Sequence, residues 1–167
     1  MNYHNITHDD MNNGDGLRTV LWVAGCSHHC YNCQNPETHD ACGGIKFDGS
    51  AYEELINSLK PDYISGITFS GGDPLHVNNI RTVTELAKTV KDLGKTVWLY
   101  TGSCWEYLYM KHKEGIINIL NYVDVLVDGE YIDHLRDINL KWRGSSNQRV
   151  VDVQASLKYG KCILHCD

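Results

Sequence analysis

Short β-branched and apolar runs alternate along this chain with segments of helical periodicity. Arg18-Thr19-Val20-Leu21-Trp22-Val23 is one such run, ending at Ala24-Gly25, and it predicts a buried strand. Ser50-Ala51-Tyr52-Glu53 has the form of a capping box; Leu55, Ile56 and Leu59 then share a helical face up to Lys60-Pro61, where proline stops the helix. Tyr63 to Ser70, with Ile64, Ile67 and Phe69, predicts a second strand that runs directly into Gly71-Gly72-Asp73-Pro74. Ile80, Val83, Leu86, Ala87, Val90 and Leu93 recur at helical spacing, and Gly94 ends that amphipathic helix. Thr96 to Tyr100 predicts a third strand ending at Thr101-Gly102, followed by a helix from Trp105 to Leu120 that is interrupted near Gly115. Val123 to Val127 predicts a fourth strand, ending at Asp128-Gly129, and beyond it a strand at Val150 to Val153 and a short one near Ile163 are expected.

Strands alternating with helices predict parallel βα units with right-handed crossovers and helices packed outside the sheet. A closed eight-stranded barrel takes about 250 residues. With 167 residues, the chain is expected to form an incomplete (β/α) barrel of parallel strands, or a small open sheet, open on one side. No internal repeat and no linker interrupts it, so residues 1–167 read as a single domain. Ligands of parallel α/β folds bind at the carboxyl ends of the strands, which makes the face carrying the special strand-end loops the expected active site.

Composition narrows the class. With 42% hydrophobic and 22% charged residues, 15 Gly and 3 Pro, the chain is globular, without low-complexity bias. The 15 Lys and Arg against 21 Asp and Glu give a net charge of -6, and no basic cluster is present to neutralise a run of phosphates, so nucleic acid is excluded as a partner. No apolar run approaches the ~18 residues of a membrane span, and the opening Met1-Asn2-Tyr3-His4-Asn5 lacks the layout of a signal peptide. A cytoplasmic protein with no membrane partner is expected. Seven cysteines are many for that compartment, and an odd number disfavours a disulfide framework and points to metal or redox chemistry.

Three of them, Cys26, Cys30 and Cys33, fall in a C-x3-C-x2-C spacing at the end of the first predicted strand. Local chelation by three thiolates loses little chain entropy, so a metal centre is the natural reading. Closed tetrahedral zinc needs a fourth ligand, for which His28, His29, His39 and Cys42 are available; a zinc-stabilised interaction module is the reading from a different class. Zinc modules favour paired C-x2-C knuckles, and this spacing holds one such pair. The other possibility is a 4Fe-4S cluster held by three cysteines, with one iron left open for a ligand.

With these residues in view, the chain resembles the radical S-adenosylmethionine superfamily and, within it, the activating proteins of anaerobic ribonucleoside-triphosphate reductases. The resemblance spans most of the chain. It rests on the Cys26 to Cys33 block with Asn35-Pro36-Glu37-Thr38, on Ser70 to Pro74, on Trp98 to Gly102, on Asp124 to Glu130 and on Trp142 to Arg149. It implies an open (β/α) barrel of the superfamily's type in which Cys26, Cys30 and Cys33 hold the cluster and Gly71, Gly72, Asp73 and Pro74 receive the amino group of S-adenosylmethionine. Glycines let backbone approach a ligand closely, and carbonyls accept from an ammonium, so the chemistry agrees.

What the resemblance further implies is reductive cleavage of S-adenosylmethionine to a 5′-deoxyadenosyl radical. That radical takes hydrogen from a glycine in the large subunit of the reductase, with reduced flavodoxin as electron donor. Another glycyl-radical enzyme or a small metabolite is the alternative target. Asn32 stands where many superfamily members carry an aromatic beside the adenine, with Tyr31 one residue earlier, and Asp73 replaces the commoner glutamate. Tyr100, Thr101 and Asp128 are expected near the cofactor, while Arg143, Asn147 and Arg149 face either cofactor or partner. Cys42, Cys104 and the pair Cys162-x3-Cys166 take no role, and His4, His8 and Asp9-Asp10 show no ligand spacing.

Overall fold

A computed structural model describes residues 1–165 of the chain, so Cys166 of the tail pair lies outside the described residues. Strand β1 (Asn2–Asp10) is followed by β2 (Leu17–Val23), the two-residue β3 (Ile45–Lys46) and helix α1 (Gly49–Leu59). Then come β4 (Ile64–Gly71), α2 (Ile80–Asp92), β5 (Thr96–Tyr100), α3 (Trp105–Lys113), β6 (Val125–Asp128), β7 (Arg149–Asp152) and α4 (Val153–Tyr159). The strands form one seven-stranded sheet in the order β3-β1-β2-β4-β5-β6-β7. It is open, with β3 and β7 at its two ends.

The predicted parallel strands are the middle of this sheet: β2, β4, β5 and β6 run parallel. At both sides the all-parallel expectation is corrected, because β1, β3 and β7 pair antiparallel. Strand β1 is largely polar and buries only Tyr3, Ile6 and part of its neighbours, so it carries no apolar run to announce it. No α-helix lies between β6 and β7, and an antiparallel partner needs no crossover helix.

Helix boundaries shift for local reasons. Asp48, ahead of the expected capping box, caps α1 by accepting from the backbone N–H groups of Ser50 and Ala51. Helix α3 stops at Lys113 because the chain reverses at Gly115, in the left-handed region at φ +72°, and only a 3-10 turn at Ile119–Asn121 follows. Leu93 falls just beyond α2 and is exposed, whereas Val83, Leu86, Ala87 and Val90 are buried as their spacing predicts.

Alternation along the strands sorts side chains onto two faces. Leu21, Val23, Ile67, Phe69, Val97, Leu99 and Leu126 join the buried faces of α1, α2 and α3 in the main core. Trp98, Val125, Val127 and Val150 form a smaller cluster, against which Tyr100 and Trp142 pack. Next to Trp98 lies Arg18, wholly buried, with its guanidinium 5.5 Å from the indole centroid. Its Nε donates to Thr68 Oγ1 at 2.9 Å, and Nη2 donates to the carbonyls of Ile67 at 2.7 Å and Thr96 at 3.1 Å. Nη1 donates to Asp15 O and Thr96 Oγ1, both at 3.0 Å, so one side chain ties β2 to β4 and β5. Burial lowers this guanidinium to about 10.

Arg18→Ala is expected to destabilise the chain by at least about 3 kcal/mol, since it opens a cavity and strands several buried acceptors. Arg18→Met, which refills the volume, should lose less than Arg18→Ala; urea denaturation of both against the native chain checks the order.

Candidate active site

The site begins where β2 and β4 end side by side. Val23 stands opposite Gly71, and beyond the strands the pairing continues: Gly72 N donates to Val23 O and Asp73 N to Gly25 O, both at 2.8 Å. That closeness requires glycine. A Cβ on Gly72 would lie 2.5 Å from Gly25 O, and Gly71 adopts φ +96° with its would-be Cβ 2.9 Å from the Val23 backbone. Asn79, fully buried at the start of α2, donates from one amide nitrogen to the carbonyls of Ala24 (2.9 Å) and Asp73 (3.0 Å) and so holds both loops.

Cys26, Cys30 and Cys33, carried on the loop after β2, line a cavity of about 380 Å³ together with Gly71, Gly72 and Asp73. That volume falls within the roughly 300–1,000 Å³ of small-molecule sites. All three thiols are free and half-buried. Burial pushes the Cys26 and Cys30 thiols up; the backbone amides of His28 and His29 at Cys26, and of Tyr131 at Cys30, act in the opposite sense. The Asn35 N–H donates to Cys33 Sγ at 3.4 Å. Amide donors aimed at three sulfurs suit thiolate ligands, since such bonds stabilise charge on the sulfur of a bound iron–sulfur cluster. Among the described residues, no set of three or more His, Cys, Asp or Glu side chains stands close enough to enclose a single metal ion.

Asp73 is the polar hub of the cavity. It is buried, its Oδ1 accepts from Leu75 N at 2.8 Å, and its Oδ2 accepts from Thr101 Oγ1 at 3.0 Å and His28 Nε2 at 2.8 Å. The other ring nitrogen of His28, Nδ1, lies 2.8 Å from Glu130 Oε1. Hydrogen bonding to Asp73, helped by Glu130 and opposed by burial, raises the imidazole to about 9. With both nitrogens engaged, His28 has none left for a zinc ion. No signal in the sequence marks this arrangement, because Asp73, Thr101 and Glu130 are far from His28 along the chain and meet it only through the sheet order.

The remaining expected residues are distributed unevenly. Thr101 lines the cavity, whereas Asn32, Pro74 and Asp128 do not. Asn32 takes a left-handed backbone, φ 52°, which asparagine tolerates better than an aromatic, and its amide donates to Asp133 Oδ2 at 3.2 Å. Asp128 is buried beneath the strand end, accepting from Trp105 N at 2.7 Å and pairing with Arg149, whose guanidinium also holds Glu106. Asn147 donates to Glu130 O at 2.8 Å. Arg143 and Tyr100 line the cavity, and Arg143 Nε and Tyr100 Oη are buried without a protein partner among the described residues, leaving polar atoms for a ligand. Trp22, Leu140 and Trp142 supply apolar walls that the strand and motif patterns did not indicate.

Residues 12–151 match the family model described as "4Fe-4S single cluster domain". The chain is 38% identical over 152 residues to the "Anaerobic ribonucleoside-triphosphate reductase-activating protein" of Haemophilus influenzae, covering 89% of this chain and 96% of that protein. The protein of the same name from Escherichia coli K12 is 37% identical over 154 residues, covering 90% of this chain and 97% of its own length. That of Enterobacteria phage T4 is 41% identical over 152 residues, covering 90% and 93%. The chain thus belongs to the 4Fe-4S single cluster domain family and, within it, to the anaerobic ribonucleoside-triphosphate reductase-activating proteins. Between zinc and an iron–sulfur cluster, the family decides for the cluster.

Gly72→Ala is expected to destabilise the protein by about 1–3 kcal/mol, because the added methyl must displace the Gly25 backbone; thermal unfolding against the native chain measures it. Arg149 holds the Glu106 carboxyl below its ordinary range, so this bond contributes stability above Glu's usual pKa that disappears as pH falls through the depressed value. Glu106→Gln should therefore flatten the acid limb of the stability profile below the ordinary pKa of a glutamate, read by urea denaturation at stepped pH.

Proposed function

We propose that this chain is a radical S-adenosylmethionine activase that places a glycyl radical on the large subunit of an anaerobic ribonucleoside-triphosphate reductase. The observation that carries the reading is that Cys26, Cys30 and Cys33 line one cavity with Gly71, Gly72 and Asp73 at the ends of parallel strands. The open sheet serves as the incomplete barrel of this superfamily, and residues 1–167 act as one domain.

Cys26, Cys30 and Cys33 hold the 4Fe-4S cluster. When bound, the cluster would supply the electron for the reductive cleavage of S-adenosylmethionine on which hydrogen abstraction from the reductase glycine depends. The chain's own task is to bind, orient and shield. Among the described residues no hydrogen-bond donor reaches the Gly72 carbonyl, which leaves it free to accept from the cofactor's ammonium. Both Asp73 oxygens are already engaged, so its carboxylate shapes the Gly71–Pro74 turn while the backbone meets the ligand. Thr101 acts through Asp73. Asn32 and Asp128 set the courses of the cysteine loop and of the β6 end that flank the cofactor.

Trp22, Leu140 and Trp142 keep water and stray hydrogen donors from the reacting centre. Ile138, which lines the cavity, is 84% exposed, and a protein loop of the reductase would enter beside it. No helix among the described residues is long and apolar enough to cross a membrane. The cytoplasm is the proposed location, and reduced flavodoxin the proposed electron donor.

Anaerobic incubation of the reconstituted chain with S-adenosylmethionine, a reductant and the reductase large subunit is expected to yield 5′-deoxyadenosine and a glycyl-radical resonance. Cys33→Ala should abolish both while circular dichroism shows the βα scaffold intact. Cofactor cleavage without a radical on the large subunit, accompanied by consumption of a metabolite, would overturn the choice of substrate.

A further inference from the structure

The contacts of His28 go beyond what cluster ligation asks of the C-x3-C loop. Its ring stands between two carboxylates from different strand ends, Asp73 after β4 and Glu130 after β6, each 2.8 Å from one ring nitrogen. The ring also packs against Gly102 after β5, where a Cβ would lie 2.6 Å from its carbons. One side chain on the cysteine loop therefore touches the loops that follow the other three parallel strands. Asp73, its inner partner, is bonded through Leu75 N on one oxygen and Thr101 on the other, so its carboxylate cannot swing without breaking three contacts.

We propose that His28 is a positioning residue: by bridging Asp73 and Glu130 it fixes the Gly71–Gly72 backbone relative to the three cysteines, and so sets the affinity of the cavity for S-adenosylmethionine. The proposal rests on the function proposed above. His28 is neither a ligand of the cluster nor a donor to the substrate. Its effect passes through Asp73, whose backbone N–H and carbonyl anchor the turn that carries the Gly72 carbonyl. Glu130 forms the outer half of the bridge; it is 55% exposed, and its backbone carbonyl is held by Asn147.

The test compares the native chain with His28→Phe, which fills the space beside Gly102 but makes neither bond, and with His28→Gln, whose amide can still donate to Asp73. After anaerobic reconstitution, iron and sulfide content are measured, and the electron paramagnetic resonance of the reduced cluster is titrated with S-adenosylmethionine. His28→Phe is expected to load its cluster as the native chain does but to need about ten- to hundredfold more S-adenosylmethionine for the spectral change, with kcat at saturation altered less than KM. His28→Gln should fall between the two. Equal half-saturation for His28→Phe and the native chain overturns the proposal.

If His28→Phe fails to fold or to load, Glu130→Ala carries the same test at an exposed position. There an increase of about two- to fivefold is expected, and no change overturns the proposal. A native chain that loads a cluster whose spectrum ignores S-adenosylmethionine would instead overturn the proposed function, so the two failures are distinguishable.

Discussion

Parallel pairing of β2 with β4 places Val23 opposite Gly71, and from that register the geometry of the site follows. Hydrogen bonds from Gly72 to Val23 and from Asp73 to Gly25 carry the pairing past the ends of the strands, so the cysteine loop and the Gly-Gly-Asp turn leave the sheet already in contact. A one-residue slip would turn every alternating side chain to the opposite face, taking Phe69 and Leu21 out of the main core. The core thereby enforces the register, and the register brings thiols and glycines together.

The two faces of the sheet do different work. On one, α1, α2 and α3 bury a continuous apolar core. The other combines a small Trp98 and Val cluster with polar groups, and at its amino-terminal end Arg18 spends all its donors on backbone and hydroxyl acceptors of β4, β5 and the loop before β2. At the carboxyl end the same face presents Trp22, Ser70 and Tyr100 to the cavity. Arg18 ties the strands together at one end of this face, and the strand-end loops supply the chemistry at the other. Because Arg18 has no carboxylate within ion-pair distance among the described residues, its stability comes from hydrogen bonds and from the adjacent indole rather than from a salt bridge.

Around the cavity, buried charge is managed by pairing. Asp73 is satisfied by three donors, His28 by two carboxylates, and Asp128 by Arg149 and the first amide of α3. The Cys26 and Cys30 thiols are the exception: burial disfavours their ionisation, and only backbone amides oppose it. Such a loop gains most from a cationic group that the three sulfurs can share, which agrees with membership in a family of single-cluster domains.

The parallel strands, the amphipathic α2 and the C-x3-C-x2-C block were legible in the sequence because each rests on local periodicity or spacing. Family resemblance supplied the target class from blocks such as Ser70 to Pro74 and Trp142 to Arg149. Strand β1 was not legible, since its polar residues need a neighbour's edge to become a strand, and the true cap of α1 at Asp48 lay two residues before the expected one. Nor could spacing reveal that His28 would meet Asp73 and Glu130, 45 and 102 residues away, or that Asn32 would turn left-handed and leave the cavity lining. The sequence by itself determined the spacing of the three cysteines and where the parallel strands end; tertiary structure alone decided which strand ends become neighbours, because sheet order is settled by packing summed over the whole chain and not by any segment of it.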